Sequence, residues 1–193
     1  MWASRFTGRS WPRGCVSVAK SLKIAGMERW PDYRRGSLTI SQILTSQVDN
    51  CSFAVKGAKP LEGSEVIIED SDLTEPRLFA GTIDRVELVN YKAPLVWKVD
   101  CQDYTLQMDK KLVVETYLGL NADTIVHDIL LKYCPGFSAA GIASGAPVIE
   151  STGTEFNYKM PSECMKWLCD YIGWQWYVDY YKVVHFFDPA QMG

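Results

Sequence analysis

Six short segments between residues 21 and 104 constrain the fold most, because apolar and polar side chains alternate along them. A period of two is typical of β-strands that bury one face. In the clearest segment Leu95, Trp97, Val99 and Cys101 fall on one face. Short strands joined by turns predict a small barrel or sandwich. The six segments are SLKIAG, GSLTISQIL, CSFAV, SEVIIED, LFAGTIDRVELV and LVWKVDCQDY.

One of these strands contains a glycine and a change of phase. Phe79, Gly81 and Ile83 share one face, whereas Val86 and Leu88 continue the apolar pattern on the other parity. A β-bulge shifts the pattern by one residue, and glycine kinks and bulges bend a sheet. We therefore expect Gly81 and the slip to mark a bend in a barrel strand. The alternative is that Gly81 only makes room for a neighbouring Trp or Tyr ring.

The sequence after Tyr104 predicts helices and a hairpin. NADTIVHDILLKYCPGF has an apolar stripe at helical spacing, with Asn121 as the N-cap. PSECMKWLCDYIG predicts a second helix that begins at Pro161 and ends at Gly173. WQWYVDYYKVVHFF predicts a β-hairpin with its turn near residues 179–182. The small, Gly-rich stretch between the helices predicts a loop with one short strand around Val148.

These patterns predict an α+β protein in three parts. Residues 1–20 form an irregular arm, residues 21–105 a β-barrel domain, and residues 106–193 a domain of two helices and a β-hairpin. The net charge of −3 is uneven, because the sequence up to Gly36 carries eight Lys or Arg and two acidic residues. A basic arm can bind nucleic acid or a membrane surface, or can be a solvated terminus or a targeting peptide.

The sequence offers little support for an enzyme. The two histidines, His127 and His185, lack the partners of a metal site, and there is no phosphate-binding loop or nucleophile elbow. Cys134 and His127 could form a nucleophile pair, but chance explains their spacing better. We therefore expect no catalytic residue, no cofactor and no metal. The six cysteines are expected to be reduced thiols, since no spacing suits zinc, and no apolar run is long enough to span a membrane.

Aromatic residues crowd the end of the chain, and some of them must point away from the core of an alternating hairpin. Exposed aromatics indicate a protein interface or a sugar-stacking surface, unless a helix or the arm covers them. We expect an oligomer or partner interface here. Its predicted residues are Trp174, Trp176, Tyr177, Tyr180 and Tyr181.

Five segments in this order resemble the N-terminal half of the tail hub proteins of tailed bacteriophages, also called tail tip or baseplate hub proteins. The resemblance extends from about Ser21 to Pro189, and its most specific parts are LFAGTI, CQDYT and WYVDYYKVVHFF. The five segments begin SLTISQIL, GSEVIIED, RLFAGTID, VDCQDYTL and PSECMKWL.

The resemblance implies a structural protein of the virion. Hub proteins are similar to tail-tube subunits in their β domains and form a trimeric ring at the distal end of the tube. Implied partners are sister chains, the tail tube protein, the distal tail protein and the tape measure protein, with viral DNA passing through the channel during ejection. Such a protein assembles in the host bacterial cytoplasm and has no membrane anchor. The resemblance covers only the first barrel and the domain after it, so we expect either a fragment of a longer hub protein or a smaller relative, which leaves ring closure open.

Two alternatives remain at this point. The chain could be the mounting platform of a tail-associated peptidoglycan hydrolase whose catalytic domain lies elsewhere. It could also be a receptor- or glycan-binding tail module that uses the terminal aromatics.

Overall fold

The computed structural model describes residues 20–41, 48–149 and 154–191. The predicted arm, residues 1–20, lies almost entirely outside this described part. The chain is an α+β protein that is mostly sheet, as the sequence predicts. The strands are β1 (Lys20–Ile24), β2 (Met27–Glu28), β3 (Thr39–Ser41), β4 (Asn50–Lys56), β5 (Glu65–Asp70), β6 (Arg77–Asn90), β7 (Val96–Asp103), β8 (Val113–Tyr117), β9 (Ser138–Ile142), β10 (Thr154–Lys159), β11 (Gln175–Val178) and β12 (Val183–Phe187). The α-helices are α1 (Thr105–Met108), α2 (Ala122–Tyr133) and α3 (Pro161–Ile172).

The first seven strands form one antiparallel sheet in the order β2-β1-β5-β6-β7-β4-β3. The alternation seen in the sequence buries one face, since apolar side chains of β1, β4, β5, β6 and β7 share a single core. Strands far apart in the sheet can share a core only if the sheet curves around it. Phe53, Val55, Val66, Phe79 and Val99 are among its fully buried members.

The predicted barrel is not shown to close. Within the described residues, no ladder of hydrogen bonds joins β2 to β3, which are the two edges of the sheet. A short 3-10 helix, Trp30–Asp32, instead carries the chain from one edge towards the other. Tyr33 then forms an antiparallel bridge to Val55, and the rings of Trp30 and Tyr33 stack 4.9 Å apart against the core.

The second part has its own core beneath two small sheets. β10 pairs with β8, while β12 lies between antiparallel β11 and parallel β9. α2 and α3 contribute buried apolar faces that include Ile125, Ile129, Met165 and Leu168. The buried residues of the first core all precede Tyr104 in the sequence, and those of the second core all follow it. The division at residue 105 into separate domains remains a prediction.

The ends of the two long helices lie where the sequence predicts them. Asn121 is the N-cap residue of α2 and has extended backbone geometry. Gly173 ends α3 with a φ of +77°, in the left-handed region that a side chain disfavours.

The expected strand around Val148 is wrong, because Val148 makes only an isolated bridge to Asn121. No described helix is both long enough and apolar enough to cross a bilayer.

Candidate interaction site at the aromatic hairpin

The hairpin of β11 and β12 buries one of its faces. In its antiparallel register Trp176 lies opposite Phe186, and Val178 lies opposite Val184. Trp176, Val184 and Phe186 are buried in the second core with residues of α2 and α3. Trp174, which precedes β11, packs on Phe186 with ring centroids 5.1 Å apart. This face is therefore part of the core of the chain itself.

Trp174 and Trp176, two of the predicted interface residues, are buried within the chain itself. Their exposed fractions are only 9% and 2%. The physical reason is the tight turn at Gly173, where the backbone N–H groups of Gly173 and Trp174 both donate to the carbonyl of Cys169. The turn folds the hairpin back so that it packs with α3 in one core. Neither tryptophan ring is available to a partner chain in this conformation.

The turn of the hairpin, residues 179–182, reaches the seven-stranded sheet. The hydroxyl of Tyr180 donates to the Asp49 carboxylate at 2.9 Å, and the guanidinium of Arg77 donates to the Tyr180 carbonyl at 2.9 Å. The Tyr180 ring also lies 5.7 Å from the ring of Phe79 in the first core. We refer to the contacts of this turn with the sheet as the hairpin junction. It joins the two parts of the chain.

Two further residues of the turn strengthen the junction. The Arg77 guanidinium lies 4.2 Å from the centroid of the Tyr181 ring, a cation–π distance. Lys182 Nζ donates to Glu65 at 3.3 Å and lies 4.3 Å from the centroid of the Tyr104 ring. Since Tyr104 directly precedes α1, this contact fixes the chain where it leaves the first sheet.

The ionisation states of Glu65 and Tyr104 stabilise the hairpin junction at neutral pH. The hydroxyl of Tyr104 donates to Glu65 at 2.7 Å, and this bond lowers the pKa of Glu65, with Lys182 and Arg77 lowering it further. Burial and then the same bond raise the pKa of Tyr104. Glu65 is therefore ionised and Tyr104 is neutral at pH 7, which is the state that the hydrogen bond and the ion pair with Lys182 require.

A buried carboxyl group lies beside the junction. Asp103 is 4% exposed and accepts hydrogen bonds from the backbone N–H groups of Asp49 and Thr105 and from the Thr105 hydroxyl. Burial nevertheless raises the pKa of Asp103 to about 6. Because Asp49 also accepts the bond from Tyr180, the charge of Asp103 is coupled to the junction through its neighbour.

The outer face of the hairpin remains accessible. Tyr177 and Tyr181 are 37% and 50% exposed. Tyr177 stacks on His185 with centroids 4.5 Å apart, and His185 Nε2 lies 3.1 Å from Asp179. The predicted interface at Tyr177, Tyr180 and Tyr181 is thus divided, because Tyr180 and Tyr181 both contact Arg77 of the same chain, although half of Tyr181 stays exposed. A partner contact at Tyr177 and Tyr181 stays a prediction.

Gly81 lies where two backbones approach closely. It is paired with Val66 on β5 and Asp103 on β7. A Cβ atom at Gly81 would lie 2.0 Å from the carbonyl oxygen of Gln102. The register shifts between Ile83 and the next paired residue of β6, which is the bulge that the phase slip predicts. The alternative of a neighbouring Trp or Tyr ring is not supported, since backbone atoms of β7 are nearest.

Sequence reasoning missed an exposed aromatic pair on α3. Trp167 and Tyr171 are 42% and 50% exposed, and their rings stack 5.3 Å apart with an angle of 13°. Trp167 also makes an edge contact with Phe156 at 5.8 Å. Their spacing of four residues places both rings on one side of the helix, away from the buried residues such as Leu168. That spacing, read beside the helical prediction, could have identified them.

The described residues give no support to a catalytic or metal site. Within residues 20–41, 48–149 and 154–191, no group of three or more His, Cys, Asp or Glu side chains could hold a metal ion. Cys134 is buried, and burial raises the pKa of its thiol to about 12. His127 is exposed on α2. An activated thiolate needs a lowered pKa, so this pair does not form a nucleophile.

Comparison with known proteins identifies the fold. No protein-family model matches the sequence, and no curated protein matches it either. A tail protein of prophage MuSo2 from Shewanella oneidensis matches with a TM-score of 0.66 and 12% identity, over 90% of this chain and 56% of that one. A prophage tail protein from Listeria monocytogenes matches with a TM-score of 0.66 and 14% identity, over 92% of this chain and 52% of that one.

A third similar structure comes from a secretion system and not from a phage. A component of the type VI secretion system of E. coli, itself structurally similar to T4 bacteriophage tail proteins, matches with a TM-score of 0.58 and 15% identity, over 86% of this chain and 48% of that one. The chain spans about half the length of these structures. Its structural neighbours are phage tail proteins, and it has their fold, as the resemblance to tail hub proteins implies.

Proposed function

We propose that the chain is a structural protein of a bacteriophage tail tip, where it forms a hub ring that closes or adapts the distal end of the tail tube. The observation that carries this proposal is the fold, because about nine tenths of the chain superposes on phage tail proteins. The proposed partners are sister chains in a trimer, the tail tube protein, the distal tail protein and the tape measure protein. The protein would assemble in the host cytoplasm and reside in the virion.

The edges of the first sheet support assembly with sister chains. β2 and β3 are short edge strands, and no other described strand pairs with their outer sides. Unpaired strand edges are templates for pairing with another chain, and rings form when such contacts close. We propose that neighbouring subunits complete the β wall that one chain leaves open. The bend we assign to Gly81 and the bulge would curve the strand that lines the channel.

The charge of the body fits a DNA conduit. The sequence after Gly36 carries a net charge of −9, since the part up to Gly36 carries +6 of the total of −3. Negative charge repels the phosphate backbone, so such a wall would not retain passing DNA. The hairpin junction supports the same role, because it braces the second part of each subunit against the wall.

Purification of the chain with its tail tube protein tests the proposal. Light scattering after size-exclusion chromatography should give a trimer, or a complex with the tube protein. A chain that stays monomeric at high concentration and binds neither tail tube nor distal tail protein would contradict it. We expect no turnover of peptidoglycan by the chain alone; hydrolysis would support the alternative of a hydrolase component.

The exposed pair on α3 favours a second candidate function, glycan binding. Stacked aromatic rings offer an apolar surface for the faces of sugar rings. The site is Trp167 and Tyr171 and not Trp176, which is buried. Binding to a glycan array that Trp167→Ala abolishes, with the circular dichroism spectrum unchanged, would favour this function over a purely structural one. Retained binding in Trp167→Ala would exclude this site.

A further inference from the structure

An apolar patch lies on the outer side of the two-stranded sheet of the second part. β8 buries Val113 and Tyr117 in the second core, so Val114 points to the opposite face. The register partner of Val114 is Asn157 on β10, which brings the beginning of β8 beside the end of β10. Four large apolar side chains lie here, each 44–71% exposed, and we call them the apolar patch: Leu112, Val114, Tyr158 and Met160. Exposed apolar patches mark interaction sites.

A β-bulge presents the ring of Tyr158 to solvent. The register of β10 shifts between Asn157 and Lys159, and Tyr158 between them has no register partner among the described strands. The φ of Tyr158 is +51°, in the left-handed region that a bulky residue rarely adopts. Bulges redirect side chains, and strained backbone is concentrated at functional positions. The exposed ring is therefore a specific feature of the apolar patch.

Three lysines surround the apolar patch. Lys110 and Lys111 directly precede it in the sequence, and Lys159 lies within it. All three are exposed, and none of them forms an ion pair with another described residue. An apolar centre with a polar rim is the usual composition of a protein interface. The positive sign of this rim fits an acidic partner surface.

The loop that joins β5 to β6, residues 71–76, carries the complementary pattern. Leu73 is 46% exposed, with Asp72 before it and Glu75 close after it. Both acidic side chains are exposed, and neither forms an ion pair within the described part of the chain. The Leu73 N–H donates to the carbonyl of Asp70 at 3.2 Å, which makes the loop a turn of defined shape. We call residues 71–76 the acidic loop.

We propose that the acidic loop of one chain docks on the apolar patch of a second copy of the chain. Leu73 contacts the apolar side chains, and Asp72 and Glu75 pair with the surrounding lysines. The two surfaces belong to different parts of the chain, so the contact is head-to-tail, and such contacts form a ring when their rotation closes. This inference rests on the proposed hub ring and names surfaces through which its neighbouring chains meet.

A second copy fits the apolar patch better than nucleic acid or an anionic membrane. The three lysines are a local exception in a sequence that carries a net charge of −9 after Gly36. Such a body repels an extended anionic surface, whereas it does not oppose a small acidic projection. The acidic loop places two carboxylates next to a single exposed leucine, which matches the lysines and the apolar side chains of the patch.

Reversal of charge on both surfaces tests the proposal. Lys110→Glu with Lys111→Glu should weaken self-association of the full chain roughly tenfold, and Asp72→Lys with Glu75→Lys should do the same. All four substitutions in one chain should restore association, because opposite charges then face each other again. Sedimentation velocity over a concentration series measures the effect. No weakening in either reversal, or no recovery in the fourfold variant, would overturn the proposal.

Two matched controls accompany these variants. Lys56→Glu with Lys92→Glu changes two exposed lysines of the first part and should leave association unchanged. An equal loss in this variant would show a general effect of charge and overturn the proposal. Circular dichroism should be the same for all variants, since every substituted side chain is exposed. Sedimentation with phosphatidylserine vesicles that Lys110→Glu with Lys111→Glu abolishes, while self-association persists, would assign the patch to lipid and overturn the proposal.

Cross-linking between two variants tests which surfaces meet. A short bismaleimide should link Leu73→Cys to Val114→Cys when the two proteins are mixed, and peptide mapping should find the link between positions 73 and 114. Neither variant alone should form it, and a link between two copies of position 73 would overturn the head-to-tail contact. A trimer that forms without the 73–114 link would refute the docking but leave the hub function standing. An unmodified chain that stays monomeric would contradict both.

Discussion

Tyr180 donates a hydrogen bond to Asp49 across 131 positions of the sequence, and this bond joins the tip of the terminal hairpin to the first sheet. The predicted aromatic interface is therefore in part an internal contact. A junction of a few polar and cation–π contacts makes specific predictions about stability, because each contact is removable without disturbing either core.

Removal of the Tyr180 hydroxyl should weaken the junction but preserve both cores. We expect Tyr180→Phe to lower the free energy of unfolding by about 1 kcal/mol, since it removes one hydrogen bond and leaves the ring beside Phe79. Urea denaturation measures the change. Tyr91→Phe is the matched control, because Tyr91 is highly exposed and should show no effect. Equal effects in the two variants would show that the junction adds no stability.

Substitution of Arg77 should lower the free energy of unfolding more than substitution of a surface arginine. It donates to the Tyr180 carbonyl and to Glu69 and lies over the Tyr181 ring, so Arg77→Ala should cost about 2 kcal/mol. Arg85, which pairs with Glu87 at the surface, should cost less than about 1 kcal/mol when changed to Ala. Faster proteolysis between the two parts, followed by mass spectrometry, should accompany only the first change.

Gly81 should tolerate no side chain. In Gly81→Ala the new methyl group would overlap the Gln102 carbonyl, so we expect a loss of about 3 kcal/mol or failure to fold. Gly63→Ala is the comparison, because a Cβ there meets no atom within 4 Å and the cost comes only from a φ of +80°, about 1 kcal/mol. Thermal denaturation ranks the two. A Gly81→Ala protein as stable as the unmodified chain would refute the close approach.

Asp103 should make stability fall as the pH rises from about 4 to above 6. Its pKa is raised from an ordinary 3.8 to about 6 in the folded chain, so its contribution is fully present below the unfolded value and is lost through the folded value. Glu65 acts in the opposite sense, because its pKa is lowered. The difference in unfolding free energy between the unmodified chain and Asp103→Asn isolates the effect and should decrease over this range. Asp100→Asn, at a half-exposed position, serves as control; a flat difference for Asp103→Asn would contradict the assignment.

Substitution of Trp176 should affect folding, whereas substitution of Tyr177 should affect assembly. Trp176→Ala should cost about 3–5 kcal/mol because it empties a buried site, whereas Trp176→Phe should cost less, since the indole N–H has no hydrogen-bond partner among the described residues. Tyr177→Ala should change stability little and should weaken any partner contact at the outer face. Calorimetry and light scattering measure the two effects, and a Trp176→Ala protein that folds normally would contradict the burial.

Much of the architecture follows from local patterns. Period-two alternation located six of the seven strands of the first sheet, all but the two-residue β2. Helical spacing with Asn121 and Gly173 located α2 and α3, because these signals depend on near neighbours in sequence. β9 escaped prediction because SAAGI is made of small residues with no apolar alternation. β8 and β10 also escaped prediction, because they form a sheet of only two strands with half-polar faces.

The candidate site could be predicted only in part. Alternation showed that Trp174, Trp176 and Phe186 share a face, but it cannot show that α3 covers that face. The contact between Tyr180 and Asp49 depends on how the two cores pack relative to each other, and local sequence patterns do not determine that packing. The bulge after Ile83 was visible in the sequence as a phase slip, but the close approach of the β7 backbone to Gly81 was not, because only the packed strands show it.

Electron cryomicroscopy of the native phage tail tests the central claim most directly. If the chain is a hub protein, the reconstruction will show three copies in a ring at the distal end of the tube, with the edges β2 and β3 meeting neighbouring chains around an open channel. Density that places the chain as a single copy away from the tube axis, or a tail tip without it, would contradict the proposed function.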